Sequence, residues 1–348
     1  RHQRRGDLQE IRVSRRPRLR RRAGGVLVLL GLILLLALAG IWTYLGPGPS
    51  APSGETTTVI LERGSGVRQI GRKLEKAGVI RWSGAFVLAA RASGAAGKLK
   101  AGEYQIASHA SLARILDDIR AGRVVRHLIT IPEGWTSAMA LEAVNAAPEL
   151  VGTAAEPAEG SLLPDTYEVQ RGDSRAEVLA RMQKAQAGLL AELWPKRQPG
   201  LPLNTPREAV ILASIVEKET GVAAERARVA AIFINRLRLG MPLQSDPTII
   251  YGVSRGRPLG RGIRASELAA ENPYNSYKAA GLPPTPIANP GRAALEAVLN
   301  PAKTDELYFV ADGSGGHAFA STYEAHERNV ARWREIERQK AAENTEAK

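Results

Sequence analysis

Cysteine is absent from the chain. That excludes disulfide staples, thiolate nucleophiles, thiol redox chemistry and metal sites built on sulfur, and leaves an oxidising compartment tolerated but not demanded. Histidine is scarce. The five residues His2, His109, His127, His317 and His326 show no metal-ligand spacing, so neither a metal nor another cofactor is expected. Also missing are a Gly-rich phosphate loop with its Lys, a paired-His metalloprotease helix and a nucleophile-elbow Ser. No internal repeat and no heptad seam is found.

What is present is a chain of 348 residues, 44% of them hydrophobic, enough to bury a sizeable core over two or three domains. Its formal net charge of +13 is unevenly placed, because the ten Arg of residues 1–22, set against Asp7 and Glu10, account for +8 and leave +5 for the rest. A basic tail of this kind says little about the partner of the folded part, and no nucleic-acid partner is expected. Residues 23–45 carry no charge and are dense in Leu, Val and Ile. From Gly24 on they match the roughly 20 residues that cross a hydrocarbon core. They exceed the roughly 7–15 residues of a signal-peptide core, and no small-x-small cleavage site closes them, so an uncleaved transmembrane helix is expected. Trp42 and Tyr44 stand where an interfacial aromatic belt would lie. The Arg block preceding the span is expected in the cytoplasm, and everything beyond about residue 46 outside it. The chain opens on Arg1, so the true N-terminus is expected upstream.

Residues 46–57, with Pro47, Pro49 and Pro52, read as a linker. Residues 58–131 read as a small α+β module: strands at 59–61, 102–106 and 124–131, and helices at 67–76, 84–92 and 112–121. Tyr104 and His109 are read there as packing and surface residues. Residues 132–348 form a second, mainly helical domain with helices expected at 137–146, 175–193, 206–220, 224–239, 291–299 and 323–340 and a strand at 307–310. The fold class is therefore α+β behind an N-terminal transmembrane helix.

The most informative stretch is 205–221. Thr205 reads as N-cap, Pro206 as first helical residue, Glu208 as partner in a capping box and Gly221 as a left-handed stop. At about 100° per residue, Leu212, Ile215 and Val216 share a stripe with Glu219, whereas Glu217 points almost the opposite way and is read as outward-facing. An acid on the apolar side of its helix is desolvated and holds its proton towards neutrality, as a general acid must. The competing reading is the solvated end of a helix. Around this helix lie Gly- and Pro-rich loops carrying Glu159, Asp165, Gln244, Asp246, Tyr274, Asn275, Tyr277 and His317, residue types that suit a polyol. Asp246 also reads as an N-cap before Pro247, a device repeated at Asn289-Pro290. Glycoside hydrolysis ordinarily uses two carboxylates, and Asp165 and Asp246 are the two candidates for the second.

Several ordered motifs resemble the YceG/MltG family of membrane-anchored endolytic murein transglycosylases. They are Ile215-Val216-Glu217-Lys218-Glu219-Thr220, Phe233-Ile234-Asn235-Arg236-Leu237, Leu243-Gln244-Ser245-Asp246-Pro247-Thr248, Tyr274-Asn275-Ser276-Tyr277, Gly281-Leu282-Pro283-Pro284, Asn289-Pro290-Gly291 and 307–313 with His317-Ala318-Phe319. The strand, Gly-Ser-Gly turn and helix after residue 58 resemble a LysM-like module. The resemblance implies cleavage inside nascent peptidoglycan glycan strands by one Glu on a lysozyme-like helical core, without a cofactor, and that Glu matches Glu219. It also implies Gln244, Asp246, Tyr274, Asn275, Tyr277, Asp165 and His317 as substrate-binding residues. The expected setting is the cytoplasmic membrane, with the C-terminal domains periplasmic. The alternative is a non-catalytic peptidoglycan-binding scaffold that recruits cell-wall synthases.

Overall fold

The computed structural model describes the backbone of residues 17–346 and the side chains of residues 25–342, so the basic tail over residues 1–16 lies outside the described residues. The chain is a mixture of helix and small sheets. It divides into two compact units, residues 1–125 and 126–348.

In the first unit, α1 (Pro17–Leu45) already opens inside the Arg block. Its Gly25–Leu45 segment is long and apolar enough to cross a membrane, and is not buried inside the protein. Strands β1 (Thr56–Leu61) and β2 (Gly102–Ala107) pair antiparallel. Alternation along β1 turns Thr57, Val59 and Leu61 inward, as the two-residue period of a strand requires. Helices α2 (Val67–Lys76), α3 (Ser83–Ala92) and α4 (Leu112–Ala121) close the core around Leu74, Phe86, Tyr104, Ile115 and Ile119. Residues 46–57 are not a free spacer. The Gly48 N–H donates to His109 O, the His109 N–H to Pro49 O and the Ala51 N–H to Ser108 Oγ, while Thr56 and Thr57 already belong to β1.

The second unit opens with β3 (His127–Thr130), paired antiparallel with β4 (Thr166–Val169). The strand expected at 124–131 therefore goes with this unit and not with the small module. Between the strands lies α5 (Ser137–Ala146), and after them α6 (Arg175–Leu193). Then come α7 (Pro206–Glu219), α8 (Arg226–Arg238), α9 (Asp246–Ser254), α10 (Ala265–Ala269) and α11 (Arg292–Leu299). A hairpin of β5 (Tyr308–Ala311) and β6 (His317–Ala320) precedes α12 (Tyr323–Glu346).

Helix α7 is the axis of this unit: Ala209 to Val216 are buried without interruption, as in a helix packed on every side. The Thr205 hydroxyl accepts from the Glu208 N–H at 3.2 Å, but Glu208 reaches back to the N–H of Asn204 rather than of Thr205. The helix stops on an extended Thr220, whose hydroxyl accepts from the Val222 N–H. Gly221 supplies no left-handed turn. Two caps also shift by a residue or more. Ser245 takes the N-cap position of α9 without a side-chain capping bond, so Asp246 opens the helix, and Gly291 precedes α11. Asn289 instead spends its side chain on the Leu162 N–H, Trp135 O and Ser137.

A candidate active site at the end of the central helix

Glu219 is the last residue of α7. The buried run before it fixes the helix axis, so the Leu212–Ile215–Val216 stripe delivers its carboxyl into the unit. Ser245 lies opposite, at the foot of α9, and its hydroxyl donates to Glu219 Oε1 at 2.5 Å. Desolvation pushes the Glu219 carboxyl up to about 7. The Ser245 hydrogen bond opposes that rise, the nearby Asp246 charge adds to it, and His317 and Arg236 oppose it. An acid set this way holds a proton near neutrality and can give it up there.

Ser245 is itself held. Its N–H donates to Ser276 Oγ at 3.0 Å, and Ser276 O accepts the N–H of Gln244, a non-glycine residue at φ +53°. Backbone in that sparsely populated region persists only where its surroundings over-determine it. Here Arg236 also grips the loop. From α8 its guanidinium donates to Leu307 O at 2.7 Å, Leu243 O at 2.8 Å and Gln244 Oε1 at 3.1 Å. Burial lowers its proton affinity, and the ring of Tyr308 lies 5.3 Å away. Asp246 turns outward and accepts from Tyr277 OH at 2.7 Å.

The expected site residues sort into three groups. Glu219 interacts through charge with Asp246, Tyr277 and His317, and Gln244 joins this group through Arg236. His317 heads β6 rather than a loop, and its Nδ1 sits 2.7 Å from Glu225. Tyr274 and Asn275 form the scaffold behind them. Tyr274 OH pairs with Thr285 and its ring meets Tyr251 at 4.9 Å, while buried Asn275 donates to Leu268 O and Ala270 O. Asp165 is exposed, and its described contacts run to the β3–β4 end through Thr166 and Ile131, not to Glu219.

Two acids differ from their expected surroundings. Glu217 diverges from Glu219 but is not solvated: only 6% of its side chain is exposed, and it accepts from the Gly291 N–H at the start of α11. Burial raises its proton affinity. Glu159 accepts from the Ser137 N–H at the start of α5 and from Tyr251 OH. Both are acids at helix N-termini, where backbone N–H groups favour a negative charge. Arg236, Ser245 and Ser276 were not singled out from the sequence. A signal for Arg236 existed, because it follows Val229, Ile232 and Phe233 by seven, four and three residues, the same stripe logic that selects Glu219.

Residues 59–332 match the YceG-like family. A protein of Streptococcus pneumoniae (strain D39) named endolytic murein transglycosylase is 30% identical over 81% of this chain and 59% of its own length. One of the same name from Bacillus subtilis is 28% identical over 79% of this chain and 84% of its own. The chain thus spans under two thirds of the pneumococcal relative. A solved yceG-like protein of Listeria monocytogenes, 29% identical, covers 79% of this chain with 99% of its own at a TM-score of 0.49.

Proposed function

This chain belongs to the YceG-like family, and we propose that it is a membrane-anchored endolytic murein transglycosylase. The observation that carries the reading is the Glu219 carboxyl, pushed up to about 7 by burial and gripped at Oε1 by Ser245. The relatives named for that activity point to the same reaction. The second unit acts as a lysozyme-like catalytic core and the first unit carries a LysM-like, peptidoglycan-binding module. Both lie outside the cytoplasmic membrane, held there by α1.

Because Ser245 occupies Oε1, the mobile proton sits on Glu219 Oε2. In the first half-reaction Oε2–H protonates the glycosidic oxygen and the bond from that oxygen to the anomeric carbon breaks. The N-acetyl group of the sugar assists at the anomeric carbon, so a second carboxylate need not act as nucleophile. In the second half-reaction the Glu219 carboxylate takes the proton of the sugar's own primary hydroxyl, whose oxygen closes on the anomeric carbon as an anhydro ring. No water is consumed and the proton returns to Glu219. Burial keeps Glu219 protonated at rest, and the charge of Asp246, held by Tyr277, adds to that and favours the positive charge that develops on the sugar. Gln244, Tyr277 and His317 contact the glycan.

Full-length protein in detergent, incubated with peptidoglycan, is expected to release anhydro-ended fragments, and Glu219→Gln to release none while retaining its fold. Reducing-end products alone would overturn the transglycosylase reading. Equal behaviour of wild type and Glu219→Gln would favour the scaffold that recruits synthases.

A further inference from the structure

Helix α3 is built like a core helix but is only half covered. Phe86 and Ala90 are buried, yet Trp82 and Leu88 are 62% and 68% exposed. The neighbouring surface belongs to α1: Ala39 and Thr43 line one apolar groove together with Trp82, Leu88 and Ala92. Ala39 lies inside the Gly25–Leu45 segment, six residues before its end. At about 1.5 Å per residue the groove reaches about 9 Å below the end of the span. That depth matches the roughly 5–10 Å at which an amphipathic helix beds into the headgroup and acyl boundary.

The first unit cannot lift away from that depth. Tyr44 packs against its core, and the backbone bonds of Gly48, Pro49 and Ala51 to residues 108 and 109 follow within a few residues of the span. Beside the exposed apolar face lies a second groove, in which Arg68 and Arg72 of α2 and Arg91 of α3 surround Leu88. All three arginines are exposed, and among the described residues no carboxylate pairs with them. Long cationic side chains around an apolar patch suit the negative headgroups of a leaflet, with the stems lying on the apolar surface.

We infer that the α3 face is a membrane-docking surface. Trp82 and Leu88 enter the boundary of the leaflet beside α1, and Arg68, Arg72 and Arg91 hold the headgroup phosphates of anionic phospholipid. This rests on reading α1 as a membrane span, and the first unit would then lie against the bilayer instead of hanging from a tether.

The absence of Cys permits single labels. Nitroxides at Trp82→Cys, Leu88→Cys, Thr58→Cys on the exposed face of β1, and Leu35→Cys within the span are compared in full-length protein. The protein is reconstituted in vesicles of phosphatidylcholine with or without phosphatidylglycerol. Collision with oxygen reports the apolar phase and collision with a water-soluble nickel chelate reports water. The labels at 82 and 88 are expected to lose nickel accessibility and gain oxygen accessibility relative to 58, more so with phosphatidylglycerol. Replacing Arg68, Arg72 and Arg91 together by Gln is expected to remove that lipid dependence. Labels at 82 and 88 as wet as 58, with 35 in the apolar phase, overturn the docking while sparing the anchor. A wet label at 35 overturns both. Shielding of 82 and 88 from both agents means that protein covers the face and overturns the lipid occupant, and indifference to phosphatidylglycerol overturns the arginine role.

Discussion

At the scale of residues, Glu219 combines two opposed requirements: it must be desolvated to keep its proton and hydrogen-bonded to keep its place. Desolvation dominates, and its carboxyl titrates at about 7 instead of the ordinary 4.5. The Asp246 charge is one of the causes, so Asp246→Asn is expected to lower that value. If the protonated form starts the reaction, the alkaline limb of the rate profile near pH 7 then moves to lower pH; a limb that moves the other way, or stays put, separates Asp246 from Glu219. The same displacement has a cost in stability. The folded-state value lies above the unfolded one, so stability is fully present below about 4.5 and is lost as pH rises towards and through about 7. At about 1.4 kcal/mol per pH unit, the loss is about 3.5 kcal/mol at most, less for the solvent access that Glu219 retains. Glu219→Gln, which cannot ionise, is therefore expected to be more stable than wild type at pH 8 and equal to it at pH 4. Urea unfolding of the detergent-solubilised chain at the two pH values measures this, and equal midpoints at pH 8 would show that Glu219 is solvated.

At the scale of elements, packing around α7 sets how much change the fold tolerates. Gly160 adopts φ +75°, and an added Cβ would come within 2.5 Å of Pro286 and 2.9 Å of Val210 on α7. Gly240, just after α8, has a similar φ of +66° but opens on empty space. Gly240→Ala is expected to cost about 1 kcal/mol, the left-handed backbone alone. Gly160→Ala should add about 1–3 kcal/mol of overpacking; urea midpoints of the two variants compare them, and equal losses would contradict the close approach. This packing also explains what could be read in advance. Six helices of the second unit were legible because their apolar stripes repeat at helical spacing, and the Glu219 stripe emerges from the same count. Strands β4 and β6 were not, since four residues amid Gly, Pro and Ser give too short an alternation to see. Nor was the setting of Glu217: helical phase says which way it points, but only the arrival of α11 from 74 residues away, with the Gly291 N–H directed at the carboxylate, makes that side an interior. Ser245 and Ser276 escaped notice for a related reason, as small hydroxyl residues acquire a role only when separate loops meet.

At the scale of the whole molecule, the charge distribution is what the proposed orientation rests on. Of the +13 formal charge, +8 lies in residues 1–22, directly before the single span among the described residues. Positive residues close to a span resist translocation, whereas acidic ones contribute little. In the proposed topology the ten Arg hold their own side in the cytoplasm and send both compact units across. A polymer cleaved by Glu219 must be met on that far side, so orientation is a condition for the proposed activity and not only an address. Alkaline phosphatase fused after Lys348, active only when exported, is expected to be active on the native chain. Changing the ten Arg to Gln leaves the apolar segment intact but removes the bias, so the fusion should lose much of its activity while remaining membrane-bound. A fusion inactive on the native chain would put Glu219 on the cytoplasmic side and remove its substrate. An active fusion that ignores the Arg replacements would instead assign orientation to the folded units downstream.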